Sequence, residues 1–168
     1  MVFEKLRNKL KVINENLTFA ISPIKEGELR SLVISADGMK AGFEAVLDLV
    51  KVAPDHPNWK IISFRERLNK DNLSINFGGY NIGYDDIYFR YVNEEEFGVE
   101  LNIRNYKSTG KEQNAIYILL DTLLGEYDTV TEIDWIEWVA LDENNIDNLY
   151  PLIELRKLID QKKEDRDA

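Results

Sequence analysis

Apolar and polar residues alternate with two different periods along this chain, and together the periods predict a mixed α+β fold. Between residues 29 and 67, a period-two stretch (LRSLVIS) is followed by a helical period (FEAVLDLV) and then by a second period-two stretch (WKIISFRER). This order is typical of a strand, an amphipathic helix and a strand. Asp37 precedes the helix and is expected to cap it, and Pro54 is expected to end it.

Later segments repeat the same two periods. Residues 87–92 and 99–103 alternate on either side of a polar turn, which predicts an antiparallel hairpin. Residues 111–124 predict a second helix that ends at Gly125, and Tyr127–Leu141 is interpreted as a long strand. The order strand, helix, three strands, helix, strand predicts a ferredoxin-like βαββαβ two-layer sandwich, an antiparallel sheet with both helices on one face.

The length of 168 residues predicts a single domain spanning residues 1–168. Within it we expect an N-terminal helix over residues 1–17, an α+β core over residues 29–141 and a C-terminal helix over residues 151–163. Both outer helices are predicted to be additions that pack on the core. One alternative stays open, a different α+β sheet in which residues 73–83 supply an extra strand.

Composition narrows the classes of partner. The net charge is −10, from 31 acidic and 21 basic residues, and such a field repels nucleic-acid phosphates and anionic membrane surfaces. We therefore expect neither nucleic acid nor a membrane as a partner. The chain has no cysteine, which is typical of a reducing compartment, and it begins with no apolar run of the kind a secretory signal needs. A cytoplasmic protein is expected, with its oligomeric state open.

Few residues offer catalytic chemistry. His56 is the single histidine, so with Asp55 it is the candidate for proton transfer, although a turn histidine is the simpler interpretation. One histidine and no cysteine exclude the usual zinc sites, and no metal site is predicted. Ser108-Thr109-Gly110-Lys111 lacks the first glycine of a phosphate-binding loop. No cofactor is expected.

Arginine and tryptophan residues form the candidate binding constellation. Alternation places the arginines on the polar faces of predicted strands, where they suit a carboxylate or a protein partner. Cross-strand salt bridges, or cover of this face by the terminal helices, are the open alternatives. Trp135 and Trp138 must face opposite sides of their strand, so one is expected in the core and the other at an interaction site. The candidate ligand-binding or partner-binding residues are Trp59, Arg65, Arg67, Arg90, Arg104 and Trp138.

The run ADGMKAGFEAVLDLVKVAPDHPNWKIISFRER and the later run LLGEYDTVTEIDWIE resemble a family of uncharacterised bacterial proteins. The shared pattern is ADG, a helix, AP, W, FR and then GEYD, and it covers about residues 30–138. The family has no assigned activity, cofactor or catalytic residue. The resemblance therefore implies a bacterial domain and no function.

Two functions fit these observations. The missing catalytic signatures and the polar sheet face favour a non-enzymatic protein-binding or adaptor domain, of which an acidic immunity-type protein that masks a basic enzyme is one form. The alternative is a small enzyme or a small-ligand-binding protein. It would use the loop Asp55–Trp59 together with Arg65 and Arg67, the arginines of the adjacent strand, to hold an anionic substrate.

Overall fold

A computed structural model describes residues 2–23 and 29–168 of the chain. The fold is mixed α+β, and it divides into two compact units, Met1–Arg65 and Glu66–Ala168. The units are described in turn. The single-domain organisation inferred from length stays a prediction.

The first unit is a three-stranded sheet with two helices. Its sheet order is β1-β2-β3, where β1 is antiparallel to β2, and β2 and β3 are parallel neighbours. The parallel pair follows from the helix between the strands, since parallel strands need a long crossover connection. The elements are α1 (Val2–Ile13), β1 (Thr18–Ile21), β2 (Arg30–Ser35), α2 (Phe43–Lys51) and β3 (Trp59–Ser63).

One local prediction in this unit is wrong, and strand β1 (Thr18–Ile21) lies outside every element that the sequence predicts. Asp37 does not cap α2. It follows β2 in a left-handed turn with φ of 48°, and a turn of 3-10 helix at Lys40–Gly42 separates it from the first residue of α2.

The second unit holds a four-stranded sheet and a separate hairpin. The sheet order is β8-β7-β6-β9, with β7 and β8 parallel and the other neighbours antiparallel. Strands β4 and β5 pair only with each other through a Gly-Gly turn. The elements are β4 (Ser74–Phe77), β5 (Tyr80–Gly83), β6 (Ile87–Asn93), β7 (Phe97–Ile103), α3 (Gly110–Leu124), α4 (Glu126–Thr131), β8 (Trp135–Ala140), β9 (Tyr150–Pro151) and α5 (Glu154–Asp167).

The ferredoxin-like sandwich is not confirmed. In that fold the strands on either side of each helix are split apart by another strand. Here both helical crossovers join direct neighbours, β2 to β3 and β7 to β8. The strands of the expected single sheet are therefore divided between two sheets. Residues 73–83 do supply extra strands, as the alternative expected, but these form their own hairpin rather than joining the main sheet.

The predicted strand over Tyr127–Leu141 is wrong in its first half. Gly125, with φ of 94°, ends α3 and is followed at once by the short helix α4. Three ion pairs hold α4 and the residue that follows it on α5: Lys163 binds Asp128 at 2.7 Å, and Lys162 and Arg166 bind the buried Glu132 at 3.3 and 3.1 Å. Contacts from a distant helix therefore determine the structure of this segment.

The core of the second unit lies between its sheet and α3. The apolar face of α3 packs on the inward residues of β6 and β7, and α5 closes one side. Burial of this much apolar surface is the main stabilising term of such a unit. Its fully buried large residues include Ile87, Phe89, Leu101, Ile103, Ile116, Leu119, Leu120, Leu123 and Leu155.

A capping box fixes the start of α3. The Thr109 hydroxyl accepts the Glu112 N–H at 3.3 Å, and the Glu112 carboxylate accepts the N–H groups of Thr109 and Lys107 at 2.9 and 3.0 Å. Burial alone would raise the pKa of Glu112, but these hydrogen bonds outweigh it and hold the pKa below the ordinary value. The Ser-Thr-Gly-Lys run is therefore a helix start.

Arg156 of α5 ties the loop before β4 to the end of α3. Its guanidinium donates to the carbonyl oxygens of Leu123, Leu68 and Lys70 at 3.2, 3.0 and 3.1 Å. The side chain is only 14% exposed. Nearby, the Tyr84 hydroxyl is buried without a hydrogen-bond partner among the described residues, and burial raises its pKa.

Candidate functional site

The face of the four-stranded sheet opposite α3, here called the outer face, carries three rows of side chains. The strand register aligns them across β6, β7 and β8, because directly paired residues point to the same side of a sheet. The first row is largely apolar, the second is charged and the third is mixed. In order, the rows are Val92, Gly98 and Trp135; Arg90, Glu100 and Glu137; and Tyr88, Asn102 and Val139.

The charged row is partly neutralised within the chain. Arg90 Nε donates to Glu100 Oε1 at 2.8 Å, and Asn102 Nδ2 donates to the same oxygen at 2.8 Å. Burial would raise the pKa of Glu100, but these two hydrogen bonds lower it overall. Arg90 is therefore committed to a cross-strand pair, whereas Glu137 is exposed and makes no hydrogen bond or ion pair among the described residues.

Arg104 lies at the end of the same sheet and is also paired. Its guanidinium binds Glu143 at 2.7 Å, the carbonyl oxygen of Asp85 at 2.9 Å and Asp86 at 3.3 Å. The hydrogen bond with Glu143 raises the pKa of Arg104 and lowers the pKa of Glu143. Arg104 therefore holds a loop and a turn together.

Arg65 and Arg67 make ion pairs in different units of the chain. In the first unit Arg65 binds Asp37 at 2.6 Å. In the second unit Arg67 binds Asp160 of α5 at 2.6 Å and lines an open depression of about 540 Å³ with the last residues of that helix. All four arginines predicted to meet a partner thus have carboxylate partners within the chain, and the pair of Arg90 with Glu100 is a cross-strand pair.

The two tryptophans of β8 face opposite sides, as alternation requires. Trp138 lies on the inner face and contacts Tyr117 of α3 edge to face, with ring centroids 5.4 Å apart. Trp135 lies on the outer face across Gly98, where a Cβ would come within 1.8 Å of the indole. Trp135 is 38% exposed and Val92 beside it 43%, so Trp135 is the outward tryptophan of this strand.

The negative charge of the chain is concentrated in one segment, which the arginine-based interpretation missed. Residues 112–148, here called the acidic segment, hold ten Asp and Glu residues and no Lys, Arg or His. Removing these ten leaves 21 acidic residues against the 21 basic ones, so the remainder of the chain is neutral. Counting charge in a moving window would have found this segment from sequence. It contains α3 except for the first two residues, Gly110 and Lys111, and all of α4 and β8.

Some acids of this segment are neutralised by α5 and Arg104, and others are not. Asp128, Glu132 and Glu143 make the ion pairs described above. Glu137 and Asp147 are exposed and have no ion pair among the described residues. Asp134 is exposed and uses its carboxylate to accept the Phe97 N–H at 2.7 Å. Around β8, uncompensated negative charge therefore lies beside an exposed indole.

The loop Asp55–Trp59 borders a cavity in the first unit. The cavity has a volume of about 490 Å³ and is lined by the end of α2, this loop and the start of β3. Nδ1 of His56 accepts the Asn58 N–H at 3.2 Å. Arg65 and Arg67 do not line the cavity, and among the residues that the structure describes Lys60 is the cation in its lining.

Trp59 forms one wall of this cavity. The Arg30 guanidinium lies over its ring, 4.8 Å from the centroid, and also donates to the Ser22 carbonyl oxygen at 3.3 Å. Such stacking orders both side chains. Among the residues predicted to form a site here, the structure brings together Asp55, His56 and Trp59 only.

Residues 2–23 and 29–168 contain no group of three or more metal-binding side chains. In the same residues, none of the helices is both long enough and apolar enough to cross a membrane. Comparisons of the chain with protein-family models, with curated proteins and with solved structures found no match.

Proposed function

We propose that this chain is a protein-binding domain, and that the acidic segment together with Trp135 holds a basic protein partner. The observation that carries the proposal is the position of the net charge. Ten acids without one base lie in residues 112–148, and this segment includes the strand that presents the exposed indole. Tryptophan is enriched at the centres of protein interfaces, and a one-sign surface steers a partner of opposite charge.

The outer face suits recognition better than catalysis. Its arginines are paired with carboxylates, so they do not present free cations to an anionic substrate. Its exposed groups are an indole, a valine side chain, the paired Arg90 and a free carboxylate, which together offer apolar contact and charge without a nucleophile or a proton-transfer pair. An acidic immunity-type protein that masks a basic enzyme is one form of this function.

The test compares two charge-neutralised variants of the same net charge. Glu137→Gln with Asp147→Asn removes two free carboxylates from the acidic segment, whereas Glu44→Gln with Asp48→Asn removes two exposed ones from α2. Partners are captured from an extract of the native host on each immobilised protein, and their affinities are then measured.

We expect the first variant to bind its partner about fivefold more weakly, at roughly 0.5 kcal/mol for each lost surface pair. The α2 variant should bind like the wild type, and raised salt should weaken wild-type binding. Failure to capture any specific partner, or equal affinity of both variants, would contradict the proposal.

As a second candidate we propose a small anionic ligand in the cavity beside His56. The supporting observation is the volume of about 490 Å³ with Lys60 and Trp59 in its lining. The His56 ring resonances are followed by NMR during titration with inorganic phosphate and with succinate, in the wild type and in Lys60→Gln. Saturable shifts that Lys60→Gln removes would support this function, and their absence would refute it.

A further inference from the structure

Strand β8 forms one edge of its sheet and has a side without partners. Its residues pair with β7 from Gly98↔Trp135 to Ile103↔Ala140, and no strand follows it in the sheet order. The Leu141 N–H donates to the Ile103 carbonyl oxygen at 2.9 Å. Because backbone groups of alternate residues face opposite sides in a parallel ladder, this bond places the N–H and C=O of Glu137 and Val139 toward β7, while at the start of the strand the Asp134 N–H donates to the Phe97 carbonyl oxygen at 2.9 Å.

The backbone groups of Ile136, Trp138 and Ala140 then point away from the sheet. Throughout residues 66–168, all of which the structure describes, no hydrogen bond reaches them. Three N–H groups and three C=O groups in a row are the template that an added strand requires.

The other end of this sheet is protected in the ways that natural edges usually are. Strand β9 has only two residues, and one of them is Pro151, which cannot donate a hydrogen bond. By contrast, β8 has six residues and contains no proline, no lysine and no glycine. Short length, proline and charged side chains, above all lysine, are the common defences against unwanted strand pairing, and of these β8 has only the negative charge of Glu137. We therefore treat its edge as a site for a partner.

Charge selects the partner. Glu137 is exposed at the middle of β8, with Asp134 and Asp142 just beyond its two ends, and the acidic segment supplies no cation. A second copy of the chain would bring the same uncompensated acids to the same edge, and like charges on paired strands are destabilising. A basic strand instead places its cations beside Glu137.

The two sides of the edge specify the pattern of the incoming segment. On the outer face its side chains meet Trp135, Glu137 and Val139, and on the inner face they meet Ile136 and Trp138, with Tyr117 behind the second indole. An extended segment that alternates basic and apolar residues satisfies both sides.

We propose that the free edge of β8 takes up an extended, basic segment of a protein partner as an added strand. This inference rests on the proposed protein-binding function, and it names both the mode of docking and the chemistry of the docked segment.

The test uses three synthetic ten-residue peptides on the full-length protein. The first alternates lysine with valine and threonine, and the second has glutamate in place of lysine. The third is the lysine peptide N-methylated at every second amide. It is prepared in two versions, here called frames, which differ in which of the two alternating sets of amides is methylated. N-methylation keeps the charge and sequence but removes the N–H groups that pair with an edge. Binding is measured by titration calorimetry, and amide exchange is followed by NMR.

We expect the lysine peptide to bind and the glutamate peptide not to bind. One N-methylated frame should bind roughly tenfold more weakly than the parent, because its hydrogen bonds to the edge are lost. Exchange of the Ile136, Trp138 and Ala140 amides should slow on binding. The amides of Glu137 and Val139 already face β7 and should change little.

A matched pair of protein variants gives an independent check. Ala140→Pro removes one outward N–H at a position that a strand edge tolerates, and Ala140→Val keeps that N–H while adding bulk. We expect the proline variant to lose roughly tenfold in affinity for the lysine peptide and the valine variant to remain within about twofold of wild type.

The outcomes separate this inference from the proposed function. If the lysine peptide binds but both N-methylated frames bind equally well and the three outward amides stay unprotected, edge docking is wrong while binding of basic partners stands. If the lysine peptide binds no better than the glutamate peptide, both proposals are overturned.

Discussion

Substituting Gly98 by alanine tests how the exposed indole is held on the outer face. The new Cβ would lie 1.8 Å from Cζ2 and 1.9 Å from Cε2 of Trp135, where contacts under 3.0 Å essentially never occur. The ring must therefore move by more than about 1 Å, and β7 at this position is a buried central strand that cannot give way. We expect the indole to swing off the strand toward solvent.

Forcing a side chain out of its packed position costs about 1–3 kcal/mol. Alanine regains about 0.5–1 kcal/mol relative to glycine, because glycine loses more backbone freedom in a strand. Trp135 is already 38% exposed, so only part of its buried surface is lost. The net expectation is destabilisation of about 1–2 kcal/mol, measured by urea denaturation followed by circular dichroism.

The control for this prediction is a double-mutant cycle. In a Trp135→Ala background, Gly98→Ala meets no ring and should be neutral or stabilising by about 0.5 kcal/mol. Gly110→Ala, where a Cβ has open space, should also be close to neutral. An equal cost of Gly98→Ala with and without the indole would refute the steric explanation.

Three further predictions concern polar groups of the second unit. Tyr84→Phe removes a buried hydroxyl that has no partner and should be neutral or stabilising by about 1 kcal/mol in urea denaturation. Tyr106→Phe removes a hydroxyl bonded to a glutamine amide at 3.1 Å and should instead destabilise by about 1 kcal/mol. Glu112→Gln should cost about 1–3 kcal/mol at neutral pH. The pKa of Glu112 is lower in the folded chain than in the unfolded chain. The stability that its ionised carboxylate contributes is therefore full above the unfolded pKa of about 4.5 and is lost as pH falls through the folded pKa. The free energies of unfolding of the wild type and of Glu112→Gln, measured against pH, should converge in acid. Arg156→Lys breaks several hydrogen bonds to carbonyl oxygens and should cost about 1–3 kcal/mol of stability. Lys157→Ala, on the exposed side of α5, should change stability by less than about 0.5 kcal/mol. Equal effects of the two substitutions would contradict the role given to Arg156.

Local periodicity predicts those elements whose partners are close in sequence. The β6–β7 hairpin and helix α3 form nearly where their patterns place them, because a tight turn, a capping box and Gly125 act within a few residues. The two helices at the chain ends also form, α1 over Val2–Ile13 and α5 over Glu154–Asp167.

Strand pairing was not predictable in the same way. Periodicity gives the face that a strand buries, but it does not say which strand lies beside it. The alternating patterns of β2 and β3 fit two arrangements equally well: one in which another strand separates them, and one in which they are direct parallel neighbours. Residues 126–131 carry branched and aromatic residues typical of a strand, yet Asp128 and Glu132 meet cations 35 and 30 residues later in the chain, at Lys163 and Lys162. Such tertiary contacts override local preference.

The candidate site shows that the net charge of a segment can be predicted from sequence, whereas the ion-pair partner of a single charged residue cannot. Arg65, Arg67, Arg90 and Arg104 were chosen for their charge, and each meets a carboxylate that lies 10 to 93 residues away. Whether one charged residue is free depends on such distant partners, so an arginine on a predicted strand says little about binding. A long segment with ten acids and no base is different, because it has no cation of its own. Cations from elsewhere neutralise several of its acids, but Glu137 stays unpaired at the edge of β8. The excess charge of a segment can therefore be predicted from sequence. The strand edge at which that charge is proposed to bind a partner depends on the register of β7 and β8, and finding it requires the structure.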